Sequence, residues 1–385
     1  MRVYPLIAIV LLLAAVDKAP AQQYTVLDTI QDGSLTIYLI GSDRPGISRH
    51  YLTLDEAIKT HRATLRETGT TNLQLENHSN QDIFVQSASI VKGGQQDRML
   101  ANDLIVAASS EPIAVPAYCV EHDRSFQRGS EPLSEFSTAN ELAPLARMRV
   151  LAKKPFLVQA TSANSSGDGF TAPRDSVSHQ SSVAQEQALL NQLSWYENQN
   201  AFQLTAEQKA LQESIWSDVR DIQHQLSDRM RHSVQSSISP SSLELSLEDS
   251  TLHDESVKQV TRIGDLMDRS RSKPVVGIAY AVGGKLRGAE IYGSSELFMQ
   301  EWPTVLQAIV TEGMVANGAV QTVNPDRNQV LEFLERKSGT PVTQDLSVRE
   351  RVIAYESGGL YRFETEDRLE ASAPIHVSIL TSDRN

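Results

Sequence analysis

Residues 82–109 read DIFVQSASIVKGGQQDRMLANDLIVAAS. Two apolar runs, Ile83–Val91 and Leu104–Ala108, are too short for helices and rich in β-branched residues, so both read as strands. Between them lies a polar interruption, Gly93-Gly94-Gln95-Gln96-Asp97-Arg98. Its two glycines can take positive φ, which turns the chain and exposes consecutive amides. Asp97 can pin such a turn, and Arg98 offers a bidentate fork to a carboxylate or phosphate. The segment therefore reads either as a hairpin turn braced by its own side chains or as a loop that holds an anion on amides and a guanidinium.

Working outward, Leu73–Cys119 is a series of short strands at close spacing, NLQLENHS, the two runs above and IAVPAYCVE, with a turn at Asn77–Asn80. Further out, Tyr24–Ile40 reads as strand, turn at Asp32–Ser34, strand, and Leu54–Thr60 as a short helix capped by Thr53. Residues 159–182 are rich in Ser, Gly and Pro without periodicity and read as a surface loop or linker. From Val183 to Gln235 the apolar spacing is helical, with a stripe Leu211, Ile215, Trp216, Val219, Ile222, Leu226 behind a capping signature at Thr205–Gln208. Val275–Tyr292 is a hairpin turning at Gly283-Gly284, Leu297–Val315 a helix with Pro303 placed for its first turn, and Arg351–Glu366 a hairpin with Gly358-Gly359 at its tip. IHVSIL at 375–380 reads as a closing strand. Strands, a helical block and more strands predict an α+β fold: β-sandwich-like antiparallel sheets, a packed helical block and a C-terminal β/α section. The expected organisation is a β-rich half at 22–158, the loop at 159–182, and a helical and C-terminal half of the same domain at 183–385.

The chain opens MRVYPLIAIVLLLAAVDKAPAQQ. Arg2 supplies a positive start, Leu6–Val16 an apolar stretch too short to span a bilayer, and Ala19-Pro20-Ala21 a small-x-small cleavage site. Residues 1–21 thus read as a signal peptide, with cleavage near Ala21 and a periplasmic or extracellular destination. The single cysteine, Cys119, excludes both an intrachain disulfide and a lipidated mature N-terminus. The formal charge is −13, and the first 21 residues carry Arg2 and Lys18 against Asp17, so the remainder stands at −14. That acidity argues against nucleic acid and against adsorption to anionic lipid. No later stretch is apolar enough for membrane insertion. Nothing in the sequence specifies a protein partner.

No His/Cys ligand spacing, P-loop, GxGxxG or GxSxG element is present, so neither a metal nor a cofactor is expected. Cys119-Val120-Glu121-His122-Asp123-Arg124 invites comparison with thiolate loops that cradle phosphate, but it is one residue short and has two acids beside the thiol, which raise its pKa. Cys119 reads instead as a buried strand cysteine, while Glu121, His122 and Arg124 stand at a strand end where polar groups line mouths. Taken together, GGQQDR and CVEHDR resemble the signature of the ARG and rhodanese-phosphatase-superfamily-associated protein domain, ARG denoting ADP-ribosylglycohydrolase. QESIW at 212–216 and GIAYAVGGKLRGAEIYGSSELF at 277–298 are similar to that family's second half. Ser125 stands where its members usually carry an aromatic. The resemblance implies an ADP-ribose-like or otherwise phosphorylated ligand. The candidate ligand-binding residues are Gly93, Gly94, Gln95, Asp97, Arg98, Glu121, His122 and Arg124. Three functions fit them: a binding module for a small anion, a hydrolase of phosphate or glycan substrates using Glu121 or His122 as acid or base, or a ligand-free structural protein in which both motifs brace the fold. The last requires Arg98 to be buried and paired within the protein.

Overall fold

A computed structural model describes residues 23–43, 46–67, 73–122, 124, 126–154, 206–269, 274–316, 323–370 and 373–382. The signal segment, the loop at 159–182 and the start of the helical block, including the cap at Thr205, lie outside the described residues. In chain order the strands are β1 (Tyr24–Asp32), β2 (Leu35–Ser42), β3 (Leu52–Thr53), β4 (Ala63–Glu67), β5 (Leu73–Asn77), β6 (Ile83–Val85), β7 (Ser89–Gly93), β8 (Arg98–Leu100), β9 (Leu104–Val106), β10 (Ile113–Val115), β11 (Ala117–Cys119) and β12 (Glu135–Leu142). After them come β13 (Gly277–Val282), β14 (Lys285–Tyr292), β15 (Val342–Asp345), β16 (Glu350–Ser357), β17 (Leu360–Asp367) and β18 (His376–Thr381). The helices are α1 (Leu54–Lys59), α2 (Ala146–Lys153), α3 (Ala206–Met230), α4 (Leu243–Leu247), α5 (Ser250–Arg269), α6 (Ser295–Val315) and α7 (Arg327–Glu335). The fold is α+β and sheet-rich.

The strands form an eight-stranded sheet ordered β1-β2-β13-β14-β18-β17-β16-β15, a seven-stranded sheet ordered β10-β5-β4-β12-β7-β8-β11, and a small one ordered β3-β6-β9. All pairings are antiparallel except β3 with β6. The seven-stranded sheet is close to a barrel. Its two edges, β10 and β11, are separated in sequence only by Pro116, so the chain must carry one edge round to the other. The α+β class and the antiparallel sheets are those expected from the strand spacing, with this curvature added. The first hairpin does not pair with the strands that follow it. Instead β2 lies against β13, in register Ile40↔Gly277 to Leu35↔Val282. The N-terminal hairpin thus becomes the edge of a sheet otherwise built from residues beyond 276.

Local chemistry explains the elements that the sequence predicts. Thr53 caps α1 by accepting from the Glu56 amide. Gly283 and Gly284 take φ of 58° and 81° at the β13–β14 turn, the backbone twist a two-residue hairpin requires. Along α3, Ile215, Val219, Ile222 and Leu226 are at most 2% exposed, and each such side chain contributes about 1.5–3 kcal/mol of burial. The helix stops at Met230 rather than at Gln235, with Arg231 at φ 59°. Pro303 sits inside α6, whose cap is Ser294, and not in its first turn. The largest apolar core joins Ile37 and Leu39 of β2, Phe84 of β6, Ile215 and Ile222 of α3, and Val305 and Ile309 of α6.

Candidate functional site

The β7–β8 hairpin places Gly93 at φ 131° and Gly94 at φ 53°, so both glycines take the conformations expected of them. They also have no room for a side chain. A Cβ at Gly93 would lie 2.6 Å from the Glu135 carbonyl oxygen, and one at Gly94 2.4 Å from Cζ of Phe136. Pairing of β8 with β11 sets Arg98 opposite Cys119. The two motifs therefore meet at one sheet edge.

Once together, they satisfy each other. Arg98 is 2% exposed and donates to Glu67 Oε1 (2.9 Å), Gln96 Oε1 (3.0 Å) and Cys119 Sγ (2.8 Å). Arg124 donates to Glu121 Oε1 (2.8 Å) and to the carbonyls of Gly94 (2.9 Å), Gly93 (3.1 Å) and Phe126 (2.9 Å). Asp97, wholly buried, receives two parallel bonds from Arg128, at 2.8 and 2.9 Å, and one from Ser242 at 2.8 Å. Its own amide donates to Glu121 Oε2 at 2.9 Å, and Ser239 donates to Glu121 Oε1. The loop amides are occupied as well: Gly93 donates to Asp97, Gly94 to the Pro132 carbonyl, and Gln95 to Glu67. Arg98 is thus buried and paired within the protein, with Glu67, as the bracing arrangement requires.

Burial pushes the Glu121 carboxyl upward, but the bonds from Arg124, Ser239 and the Asp97 amide outweigh it and hold it below the usual range. The Glu121 side chain is fully buried, with Oε1 held by Arg124 and Ser239 and Oε2 by the Asp97 amide. The Cys119 thiol is pushed up by burial, against the nearby Arg98. His122 has its amide and carbonyl tied to Ser241, and its ring meets Trp216 edge-on at 4.2 Å. Asp123 lies outside the described residues. Sequence reasoning missed Glu67, Arg128, Glu131, Ser239 and Ser242. The Arg128–Glu131 spacing was a weak local signal, and nothing local announces Glu67 or the serines, which arrive from other elements.

A second buried polar cluster joins the eight-stranded sheet to α2, α6 and the turn between β8 and β9. His376 of β18 sits between Asp103 (Nδ1–O 2.9 Å) and Glu290 of β14 (Nε2–O 3.1 Å), and is stacked on Tyr292 at 4.7 Å. Lys153 and Thr365 reach Asp103 at 3.0 and 2.6 Å. Arg149 of α2, 2% exposed, pairs with Glu290 (3.0 Å) and Glu312 (3.2 Å) and bonds the Tyr280 hydroxyl, which donates to Glu312 at 2.6 Å. Its sequence signal was a charge inside an apolar strand, Glu290 in GAEIY, which the hairpin reading passed over.

Two clefts open on these elements. The larger, about 310 Å³, lies between the first hairpin and the start of α6. Gln23, Ser42, Ser294 and Ser295 give it a polar end, and Val276, Ile291 and Val377 an apolar wall. The smaller, about 20 Å³, lies between α1, β12 and α6.

A family model for the ARG and rhodanese-phosphatase-superfamily-associated protein domain matches residues 23–379, and the chain belongs to that family. No curated protein and no solved structure matches it.

Proposed function

We propose that this family member is a binding module for a small anionic molecule, held in the cleft between the first hairpin and α6 rather than at the two motifs. One observation carries the reading. A cleft of about 310 Å³, the lower end of the range for small-molecule sites, ends on Ser294 and Ser295 at the N-terminus of a 21-residue helix. Unsatisfied amides and the helix dipole make such a terminus attractive to phosphate or carboxylate. The apolar wall of Val276, Ile291 and Val377 suits the uncharged part of the same molecule. An ADP-ribose-like or other phosphorylated compound meets both demands, and the family's name supports that class by association alone. The paired, buried arginines at 98, 124 and 128 support a different role for the motifs, a clamp that fixes the glycine hairpin to β11 and to the segment before α4. Export, as the first 21 residues suggest, belongs to the same proposal; a mature chain starting at Gln22 would support it.

Titration calorimetry with ADP-ribose, AMP and inorganic phosphate tests the cleft. Ser295→Glu places a negative charge in the first turn and is expected to weaken binding about tenfold or more. Absence of binding by all three compounds, or binding indifferent to Ser295→Glu, would overturn the proposal.

A further inference from the structure

Glu301 of α6 is 6% exposed and lines the smaller cleft, yet it makes no hydrogen bond or ion pair with any described residue. Its carboxyl oxygens are therefore left to what the cleft holds, water or a ligand. Around it the backbone is irregular. The β12–β7 register shifts between Thr138↔Val91 and Leu142↔Ser89, leaving extra residues bulged from β12, and Asn140 in that bulge takes φ 58°. Bulges and left-handed non-glycine residues concentrate where a fold shapes a site.

We infer that this cleft binds a compact monocation, best matched by a primary ammonium head, with Glu301 as its counter-charge. The charge inventory points to a cation. Asp55 is already matched by Lys59 at 2.8 Å, whereas Glu141 and Glu301, both lining the cleft, have no cation in direct contact. Lys92, whose charge acts on Glu141, is engaged by Glu248 and Glu131. The space, about 20 Å³, admits one water-sized group. An ammonium has that size and three donors, and the Glu301 carboxylate and the Thr138 hydroxyl offer acceptors at the cleft, with a second lone pair on the Gln86 side-chain carbonyl, which already accepts from Tyr292 at 2.8 Å. Among the described residues no three His, Cys, Asp or Glu side chains are arranged to hold a metal ion, so a cation bringing its own hydrogen-bond donors fits better.

The titratable groups facing Glu301 are Asp55 of α1, Glu141 of β12, Asp103 between β8 and β9, and His376 of β18. Burial pushes the Glu301 carboxyl up to about 8, with His376 opposing and Asp55 and Asp103 adding to the rise. Glu141 is pushed up to about 8 by burial and Glu248. Without a cation Glu301 is therefore protonated at neutral pH, and binding must expel that proton.

Calorimetry with methylammonium chloride, in buffers of differing ionisation enthalpy, reads this directly. We expect about one proton released per cation near neutral pH, and affinity rising about tenfold per pH unit below the Glu301 pKa. Glu301→Gln should remove both effects, and Thr304→Lys, which puts the chain's own ammonium at the cleft, should abolish binding. No binding by the wild type up to pH 9, or equal binding by Glu301→Gln, would overturn the site. Potassium binding as tightly as methylammonium would overturn the ammonium assignment.

Discussion

Arg98 was the residue on which the sequence left the choice between ligand contact and brace, and its surroundings favour the brace. Its partner Glu67 has a side chain only 3% exposed, so removing the guanidinium strands a buried carboxylate. Arg98→Ala is expected to cost about 3–5 kcal/mol in chemical denaturation. The apolar pair Arg98→Met with Glu67→Leu should recover most of that loss, because neither buried charge then remains. A loss below about 1 kcal/mol for Arg98→Ala would remove the brace from consideration.

At the scale of elements, the β7–β8 hairpin depends on glycine for two separate reasons. Gly93 combines φ 131° with a backbone oxygen 2.6 Å from where a Cβ would stand, and backbone cannot yield as a flexible side chain does. Gly93→Ala should therefore lower stability by about 2 kcal/mol or more, with hydrogen exchange accelerating first in β7, β8 and β12. Gly129→Ala offers the contrast. It also has positive φ, 57°, but nothing within 4 Å of its Cβ position, so its cost should be confined to the dihedral, about 1 kcal/mol. Equal losses in the two variants would mean that the close packing of β7 on β12 is not what the glycine serves.

The whole molecule carries buried acids of both kinds, and together they set its pH range. Burial pushes Asp103 and Glu290 upward, but Lys153, His376 and Arg149 outweigh it and hold both below their ordinary values of 3.8 and 4.5. Their contribution is present above those values and lost as pH falls through the lowered ones. Glu244, Glu301 and Glu350 are raised by burial, so their contribution is complete below 4.5 and is lost as pH rises. His376, where Asp103 and Glu290 overcome burial, is raised above 6.5; its contribution is present below that value and lost as pH rises through the raised one. Thermal unfolding followed from pH 3 to 9 should show greatest stability at about pH 4–5 and, above it, a decline of up to about 1.4 kcal/mol per pH unit for each proton lost. Glu301→Gln, which fixes the neutral form, should flatten the alkaline limb while leaving the acid limb unchanged. A maximum at pH 8 or above would contradict this assignment of buried protons.

Much was legible because it is local. Capping by Thr53, the Gly283-Gly284 and Gly358-Gly359 turns and the apolar stripe of α3 depend on residues within a few positions of one another, and the α+β class follows from their succession. The antiparallel pairing of β8 with β11 is what brings GGQQDR and CVEHDR to one edge. What remained for the tertiary structure was partnership at long range. Glu67 reaches Arg98, Ser239 and Ser242 reach the Glu121–Asp97 pair, and the first hairpin joins a sheet made after residue 276. A carboxylate or a serine looks the same in sequence whether water or an arginine faces it. Only burial makes that difference decisive, because a buried charge must be matched and burial is a property of the assembled chain. The same reason hid Glu301: its identity is written in the sequence, but its lack of a partner appears only when β12, α1 and α6 close around it.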